Sequence, residues 1–145
     1  MANAIRTVMP NNKTSFVMRK SNGCVDISCY SNRWEELLGW QAGKGSKFYQ
    51  KVSIPEWIFN RKNFAAACLK GLIETDGSIY RDRGYWMVNF VTTIPKLADD
   101  AMKLFLKTGF RPNLYKLNRS TRTKYTIRLS QDADRLVKLL QLAKN

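Results

Sequence analysis

The sequence predicts an α+β fold in which helices cover one face of a four-stranded antiparallel sheet. Some segments alternate polar and apolar residues, as strands with one buried face do, and others repeat apolar residues at helical spacing. From Asn63 onward these segments follow one another in the order α-β-β-α-β-β-α. Such an order suits a layered domain whose helices lie on one side of the sheet and leave the other side free.

Residues 1–60 are expected to precede this core as a separate N-terminal part. Residues 1–13 are polar and irregular, which predicts a loose terminus. Residues 14–19 and 24–30 both alternate, and the Asn-Gly pair between them is a strong hairpin signal.

A short helix and a connector complete the N-terminal part. Ser31 or Asn32 can cap the helix, and Gly39 is placed to end it. Residues 41–51 are basic and contain two glycines, which predicts a loop that leads into the core.

The core, residues 61–145, begins with an apolar helix that ends in acidic residues. Residues 64–76 form this helix, and residues 78–83 and 85–93 form a hairpin directly after it. The turn of that hairpin contains Gly84, which favours a tight reversal of the chain.

The second half of the core repeats this plan. Pro95 occupies the first position of the next helix, where its missing donor costs nothing, and Gly109 is placed to end that helix. Residues 113–118 and 124–129 form another hairpin, and the last helix starts after Ser130.

The composition predicts one globular domain with a polyanionic partner. The 145 residues include 25 Lys and Arg against 11 Asp and Glu, a net charge of +14. Nucleic acid is the commonest partner of so basic a protein, although a solubilising surface or a ribosomal type of protein has the same composition. Neither a membrane-spanning run nor a signal-peptide core is present, so we expect an intracellular protein that is not secreted.

Cysteine and histidine usage limits the possible chemistry. Cys24, Cys29 and Cys68 have no C-x-x-C spacing, so free thiols in a reducing compartment are expected. The chain has no histidine, which argues against a structural zinc site. Any catalysis must therefore use carboxylate, lysine, water or a metal ion.

The acidic end of the first core helix is electrostatically unusual. Glu74 and Asp76 lie at the C-terminal end, where the helix dipole disfavours negative charge. A bound divalent cation would offset that cost. The alternative is a buried helix with two solvated acids and Gly77 as its C-cap.

Residues 69–77, Leu-Lys-Gly-Leu-Ile-Glu-Thr-Asp-Gly, resemble the signature of the LAGLIDADG homing endonucleases. The match departs from it at Lys70, Glu74 and Thr75. The flanks, residues 54–60 and 90–112, are similar to those of the intein-associated branch of this family. The resemblance implies the LAGLIDADG core over residues 61–145, and it implies that residues 1–60 are part of a preceding repeat whose acidic helix is absent.

The family resemblance implies a sequence-specific DNA endonuclease that cuts both strands of a long target site and mobilises an intron or intein. Phosphodiester hydrolysis needs a cation that polarises the phosphate and activates water, so we expect Asp76 to bind Mg²⁺ directly. The resemblance adds the Thr75 carbonyl as a further metal ligand and Lys144 as the basic catalytic residue. It implies a structural role for Glu74.

The free face of the sheet is the expected DNA-binding surface. In residues 124–129 the apolar members point to one side, which places Lys124, Thr126 and Arg128 on the other. Strands of this kind can enter the major groove of double-stranded DNA. Further expected DNA contacts come from the same strands or their turns: Arg81, Arg83, Lys116, Asn118 and Arg119. Each of these could instead be a solvated surface residue.

One motif supplies only half of a double-strand cleavage site. Ala67 and Gly71 are small and four residues apart, so they would allow two motif helices to approach closely in a homodimer. The alternatives are that they pack on the chain's own sheet, or that the chain is a fragment of a two-repeat protein. A homodimer implies a near-palindromic DNA site.

Two other functions use the same fold. An RNA-binding intron maturase would keep the basic sheet without needing the acids. A catalytically inactive DNA-binding protein would bind duplex without a metal. The sequence leaves both open.

Overall fold

The computed structural model describes residues 2–20, 23–41 and 43–142. The chain forms two compact units, Met1–Leu37 and Leu38–Asn145. The boundary expected between residues 60 and 61 separates a partial repeat from the core, whereas these units are defined by their compactness. The expected boundary therefore stays a prediction. In the described residues no helix is both long enough and apolar enough to span a bilayer.

The first unit contains a helix and a hairpin. Helix α1 is Ala2–Val8, and β1 (Thr14–Met18) pairs with β2 (Val25–Cys29) in antiparallel fashion. The predicted hairpin is therefore present, although its Asn-Gly turn falls partly on residues 21–22, which are outside the described residues.

The prediction of a loose terminus over residues 1–13 is wrong. Ile5 and Met9 are four residues apart and lie one turn apart on a helix, and Met9 is buried. The Met9 amide continues the helical pattern by donating to the Ile5 carbonyl at 2.8 Å. An apolar pair of this kind, set among mostly polar residues, is a weak helical signal in the sequence.

The second unit is built on a four-stranded antiparallel sheet of order β3-β4-β6-β5. A short helix, α2 (Arg33–Leu38), precedes it in the chain. The unit's own elements are α3 (Glu56–Phe59), α4 (Lys62–Asp76), β3 (Gly77–Asp82), β4 (Tyr85–Thr92), α5 (Pro95–Thr108), β5 (Asn113–Asn118), β6 (Thr123–Leu129) and α6 (Ala133–Leu139). The order from α4 onward confirms the predicted α-β-β-α-β-β-α core.

The core lies between one face of the sheet and the helices. Alternate side chains of the two central strands are almost fully buried there: Val88, Phe90, Ile127 and Leu129. Helix α4 contributes Ala65, Leu69 and Ile73 to the same cluster. Each large side chain buried in this way stabilises the fold by about 1.5–3 kcal/mol.

The three cysteines form no disulfide, and the thiol of Cys68 has low reactivity. Burial raises the pKa of the Cys68 thiol to about 11. Because the thiolate is the reactive form, Cys68 is a poor nucleophile at neutral pH.

A buried carboxylate fastens the segment before α3 to helix α5. Asp100 is 1% exposed, and its Oδ2 accepts a hydrogen bond from the Ile54 backbone N–H at 3.1 Å. Its Oδ1 lies 3.0 Å from Lys96 Nζ and 3.4 Å from Lys103 Nζ. The pKa of Lys96 is raised above its usual value by its hydrogen bond to this carboxylate and by the carboxylate's charge. The buried charge is thus fully paired, as its burial requires.

We predict that Asp100→Ala lowers the free energy of unfolding by about 3 kcal/mol, because it leaves the Ile54 N–H buried and unpaired. The two lysines are about half exposed, so solvent screens their share of this loss. Urea unfolding measures the change. Asp99→Ala, at the exposed neighbouring position, is the control and should change stability by less than about 0.5 kcal/mol. Equal effects of the two substitutions would contradict the role given to Asp100.

Candidate nucleic-acid interface and metal site

Helix α4 passes into strand β3 with no residue between them. Asp76 ends the helix, and Gly77, whose N–H donates to the Ile73 carbonyl, begins the strand. Gly77 has φ −96° and ψ −179°, an extended conformation open to any residue, so the expected left-handed glycine cap is absent. Glycine is needed for space instead. A Cβ here would lie 2.5 Å from the Ile73 carbonyl oxygen and 2.8 Å from the Asn89 carbonyl oxygen.

The two expected metal ligands, Thr75 and Asp76, lie at this junction, directly after Glu74. Glu74, Thr75 and Asp76 are exposed. The Thr75 hydroxyl donates to the Gly71 carbonyl at 2.9 Å and lies 3.4 Å from Asp76 Oδ2. Glu74 Oε1 lies 3.7 Å from Lys70 Nζ, an ion pair along the helix that suits a structural role.

The donor set at the junction fits a hard cation. The last carbonyl groups of a helix have no partner within it and bear partial negative charge, and Thr75 lies in that last turn. Together with the exposed Asp76 carboxylate, they are the oxygen ligands that Mg²⁺ accepts. Within the part of the chain that the structure describes, no group of three acidic, histidine or cysteine side chains could hold a metal ion. Lys144 lies outside the described residues.

Toward its end, strand β6 alternates between buried and partly exposed side chains as expected, and the partly exposed ones lie on the sheet face opposite the helices, which we call the open face. Ile127 and Leu129 are buried, which leaves Lys124, Thr126 and Arg128 on the open face. The register then places further side chains beside them: Asn89 and Val91 on β4, and Tyr115 and Leu117 on β5. The open face is therefore a mixture of cationic, aromatic and small apolar groups.

On β3, Tyr80 lies on the same face as Asn89, because Asn89 pairs with Ser78, two residues before Tyr80. Four side chains of this face, one from each strand, form a continuous network that we name the open-face row: Tyr80, Asn89, Arg128 and Tyr115. Asn89 Nδ2 donates to the Tyr80 hydroxyl at 3.1 Å, and Asn89 Oδ1 accepts from Arg128 Nε at 3.2 Å. The Arg128 guanidinium also lies 5.7 Å from the centroid of the Tyr115 ring. These contacts engage the guanidinium through its Nε and through the Tyr115 ring, and neither hydrogen bond of the row uses an Nη group.

Three of the expected DNA-contacting residues project from the side of the sheet opposite the open face. In the register, Arg81 lies opposite Trp86, Lys116 opposite Tyr125 and Asn118 opposite Thr123. Contacts agree with this placement, because the Arg81 guanidinium lies 4.7 Å from the centre of the Trp86 ring. They therefore lie off the open face, at the edges of the two hairpins, and DNA contact from them stays a prediction.

Two further expected residues lie in turns. Arg83 is exposed in the two-residue turn between β3 and β4, where Arg83 and Gly84 have φ of 50° and 87°. Both values belong to the left-handed region of a hairpin turn. Arg119 is exposed in the four-residue turn between β5 and β6.

Ala67 and Gly71 lie on an exposed stripe of α4. A Cβ added at Gly71 would meet no described atom within 4 Å. The alternative that these small residues serve to pack on the chain's own sheet is therefore wrong. Their expected role in a dimer stays a prediction.

We predict that Gly77→Ala destabilises the fold by about 2 kcal/mol or more, because the new methyl group overlaps two backbone carbonyl oxygens. Gly71→Ala is the matched control. It adds the same methyl group to open space in a helix, so stability should rise by up to about 1 kcal/mol. Thermal and urea unfolding of both variants test this, and a shift of the same sign in both would refute the steric account.

Comparison with known proteins agrees with this architecture. A family described as LAGLIDADG-like domain matches residues 63–142, more than half of the chain. A solved structure, the N-terminal LAGLIDADG domain of DUF199/WhiA, aligns at 15% identity with a TM-score of 0.56. The alignment covers 99% of this chain and 64% of that one, so the chain spans less than two thirds of that structure. No curated protein matches. The likeness to the solved structure shows the fold, and the family match shows that the chain belongs to the LAGLIDADG-like domain family.

Proposed function

We propose that this protein binds double-stranded DNA sequence-specifically through the open face of its sheet, and that two copies together cut both strands with Mg²⁺, as a homing endonuclease does. The open-face row is the observation that most supports binding. The net charge of +14 supports a polyanionic partner.

Arg128 is the proposed base-recognising residue. A guanidinium whose Nη groups point from a sheet into the major groove can donate to guanine O6 and N7. Because Asn89 and Tyr115 restrain it, little side-chain entropy is lost on binding. Lys124 and Thr126 lie on the same face and would contact phosphates or bases beside it.

Asp76 is the proposed metal-binding and catalytic carboxylate, with the Thr75 carbonyl as a second ligand. A bound Mg²⁺ would polarise the scissile phosphate and lower the pKa of a bound water. Mg²⁺ commonly takes one or two carboxylates together with substrate phosphates and waters, so a single aspartate from each chain suffices. We propose Lys144 as the cationic residue that completes the site.

A homodimer would supply the second carboxylate. The exposed Ala67 and Gly71 leave room on α4 for the backbone of a second α4 to approach closely. A two-fold axis there would bring the two Asp76 side chains to the same DNA and would match a near-palindromic target.

A second candidate function is DNA binding without cleavage. Two observations favour it. Glu74 forms an ion pair with Lys70, which leaves Asp76 as the one carboxylate at the end of α4 without such a partner in the described part of the chain. In the described residues, no group of three possible metal-binding side chains surrounds Asp76. This candidate keeps every role proposed for the open-face row and gives Asp76 no catalytic part.

We predict that a plasmid library incubated with the protein and Mg²⁺ is cut at restricted sites, and that EDTA abolishes cutting. Asp76→Asn should reduce cleavage at least about 100-fold while duplex binding persists, because it removes a direct metal ligand. Glu74→Gln is the control and should retain most activity. Metal-independent duplex binding without cuts would favour the second candidate, and binding to structured RNA alone would favour an intron maturase.

We predict that Arg128→Ala lowers discrimination at one base pair by about 10- to 100-fold in a selection from random duplexes. Asn89→Ala should weaken the same discrimination less, because it frees the guanidinium without removing it. Arg135→Ala removes an arginine that lies over Phe110 on the helical side, and it should leave the selected sequence unchanged. An unaltered preference in Arg128→Ala would refute the assignment.

A further inference from the structure

Residues 40–51, which we name the basic loop, are held in a closed shape by one side chain. Gln50 Nε2 donates to the Gln41 carbonyl at 2.8 Å, and the Gln41 backbone N–H donates to Gln50 Oε1 at 2.9 Å. Gln50 Nε2 also lies 3.2 Å from the Gly45 carbonyl oxygen. These hydrogen bonds give the loop a defined conformation. Residue 42 is outside the described residues.

The basic loop is attached to the turn between β5 and β6. The Arg122 guanidinium lies 4.2 Å from the centroid of the Phe48 ring and 5.7 Å from that of Tyr49. The two rings meet edge to face at 5.5 Å. This stack joins two segments that are some 70 residues apart in the chain and makes them one surface.

The two segments that form this surface contribute positive charge and no carboxylate of their own. The loop presents Lys44, Lys47 and Lys51, all exposed, and the turn presents Arg119 and Arg122. The sequence contains no Asp or Glu from residue 37 to 55 or from residue 101 to 131. Like charges placed together repel each other unless a polyanion is bound, so the arrangement is suited to phosphates.

The surface lies at the end of the strands that present the open-face row. Arg122 precedes Arg128 by six residues of chain, which is roughly 20 Å along a strand. A duplex advances by about 3.4 Å per base pair, so this separation spans roughly six base pairs. A duplex that lies on the open face and follows the strands would reach the loop with its backbone.

We propose that the basic loop and the β5–β6 turn form a phosphate clamp on the same duplex, beyond the base pairs that the open-face row contacts. The inference rests on the proposed duplex binding and extends it. Lysines and arginines hold phosphates without regard to sequence, and the 75% exposed Tyr49 can donate its hydroxyl to a phosphate oxygen. The clamp therefore adds affinity and length of contact but no base preference.

The test replaces Lys44, Lys47 and Lys51 together by Gln and measures duplex affinity from 0.05 to 0.3 M salt. We expect binding to weaken by roughly 10- to 100-fold at 0.1 M salt. The slope of log K against log salt should fall by about 0.9 for each lost phosphate contact. Weakening should be equal for target and unrelated sequences, and hydroxyl-radical footprinting should lose protection only at the flank.

A control variant replaces Lys62, Lys107 and Lys138 by Gln. It lowers the net charge equally, from +14 to +11, at exposed positions of the helices that cover the sheet. Gln50→Ala is a second variant that loosens the loop with no change of charge, and it should weaken binding by a smaller factor.

Equal affinity and salt slope in the loop variant and its control would overturn the clamp while leaving duplex binding by the wild-type protein intact. A loss seen only with RNA would also overturn it, since the clamp is assigned to duplex DNA. If the wild-type protein binds no duplex, the proposed function itself fails and the clamp fails with it.

Discussion

The close approach of backbone to backbone at Gly77 is the constraint on which the rest of the structure depends. Helix α4 packs in the core through Ala65, Leu69 and Ile73, and this packing fixes the orientation of the helix axis. The chain enters β3 without a connecting residue, past carbonyl oxygens that would collide with any Cβ. Asp76 is thereby presented at a rigid junction rather than on a loop, which suits the metal-binding role proposed for it.

The two faces of the sheet differ in role, because one stabilises the fold and the other carries the proposed recognition surface. One face buries Val88, Phe90, Ile127 and Leu129 under the helices. The other displays polar groups that hydrogen-bond across β3, β4 and β6 and contact the Tyr115 ring on β5. The network satisfies Asn89 and orients Arg128 without burying either. A surface arranged before its ligand arrives loses less entropy on binding, which supports recognition of a defined DNA sequence.

Local patterns predicted most of the fold but not the details that position the site. The spacing of apolar residues and the residue types of the turns were enough to predict the element order from α4 to α6, because both signals depend on only a few neighbouring residues. The faces of strand β5 could not be assigned from its sequence, because Leu114 and Leu117 are three residues apart and do not share a face; the pairing with β6 assigns them. The alternation of β4 places Asn89 on the face of the sheet opposite to that of the buried Val88 and Phe90. Its hydrogen bonds to Tyr80 and Arg128, however, depend on how β4 pairs with β3 and with β6, which is far away in the sequence. Steric need at Gly77 likewise becomes visible only in three dimensions.

The most direct test of the account is nuclear magnetic resonance of the isotope-labelled protein bound to its selected duplex, with Mn²⁺ as a paramagnetic substitute for Mg²⁺. The account predicts that DNA shifts the side-chain amide signal of Asn89, and that Mn²⁺ broadens the backbone signals of residues 74–78 before others. Shifts confined to α5 and α6, or Mn²⁺ broadening that spares residues 74–78, would contradict it.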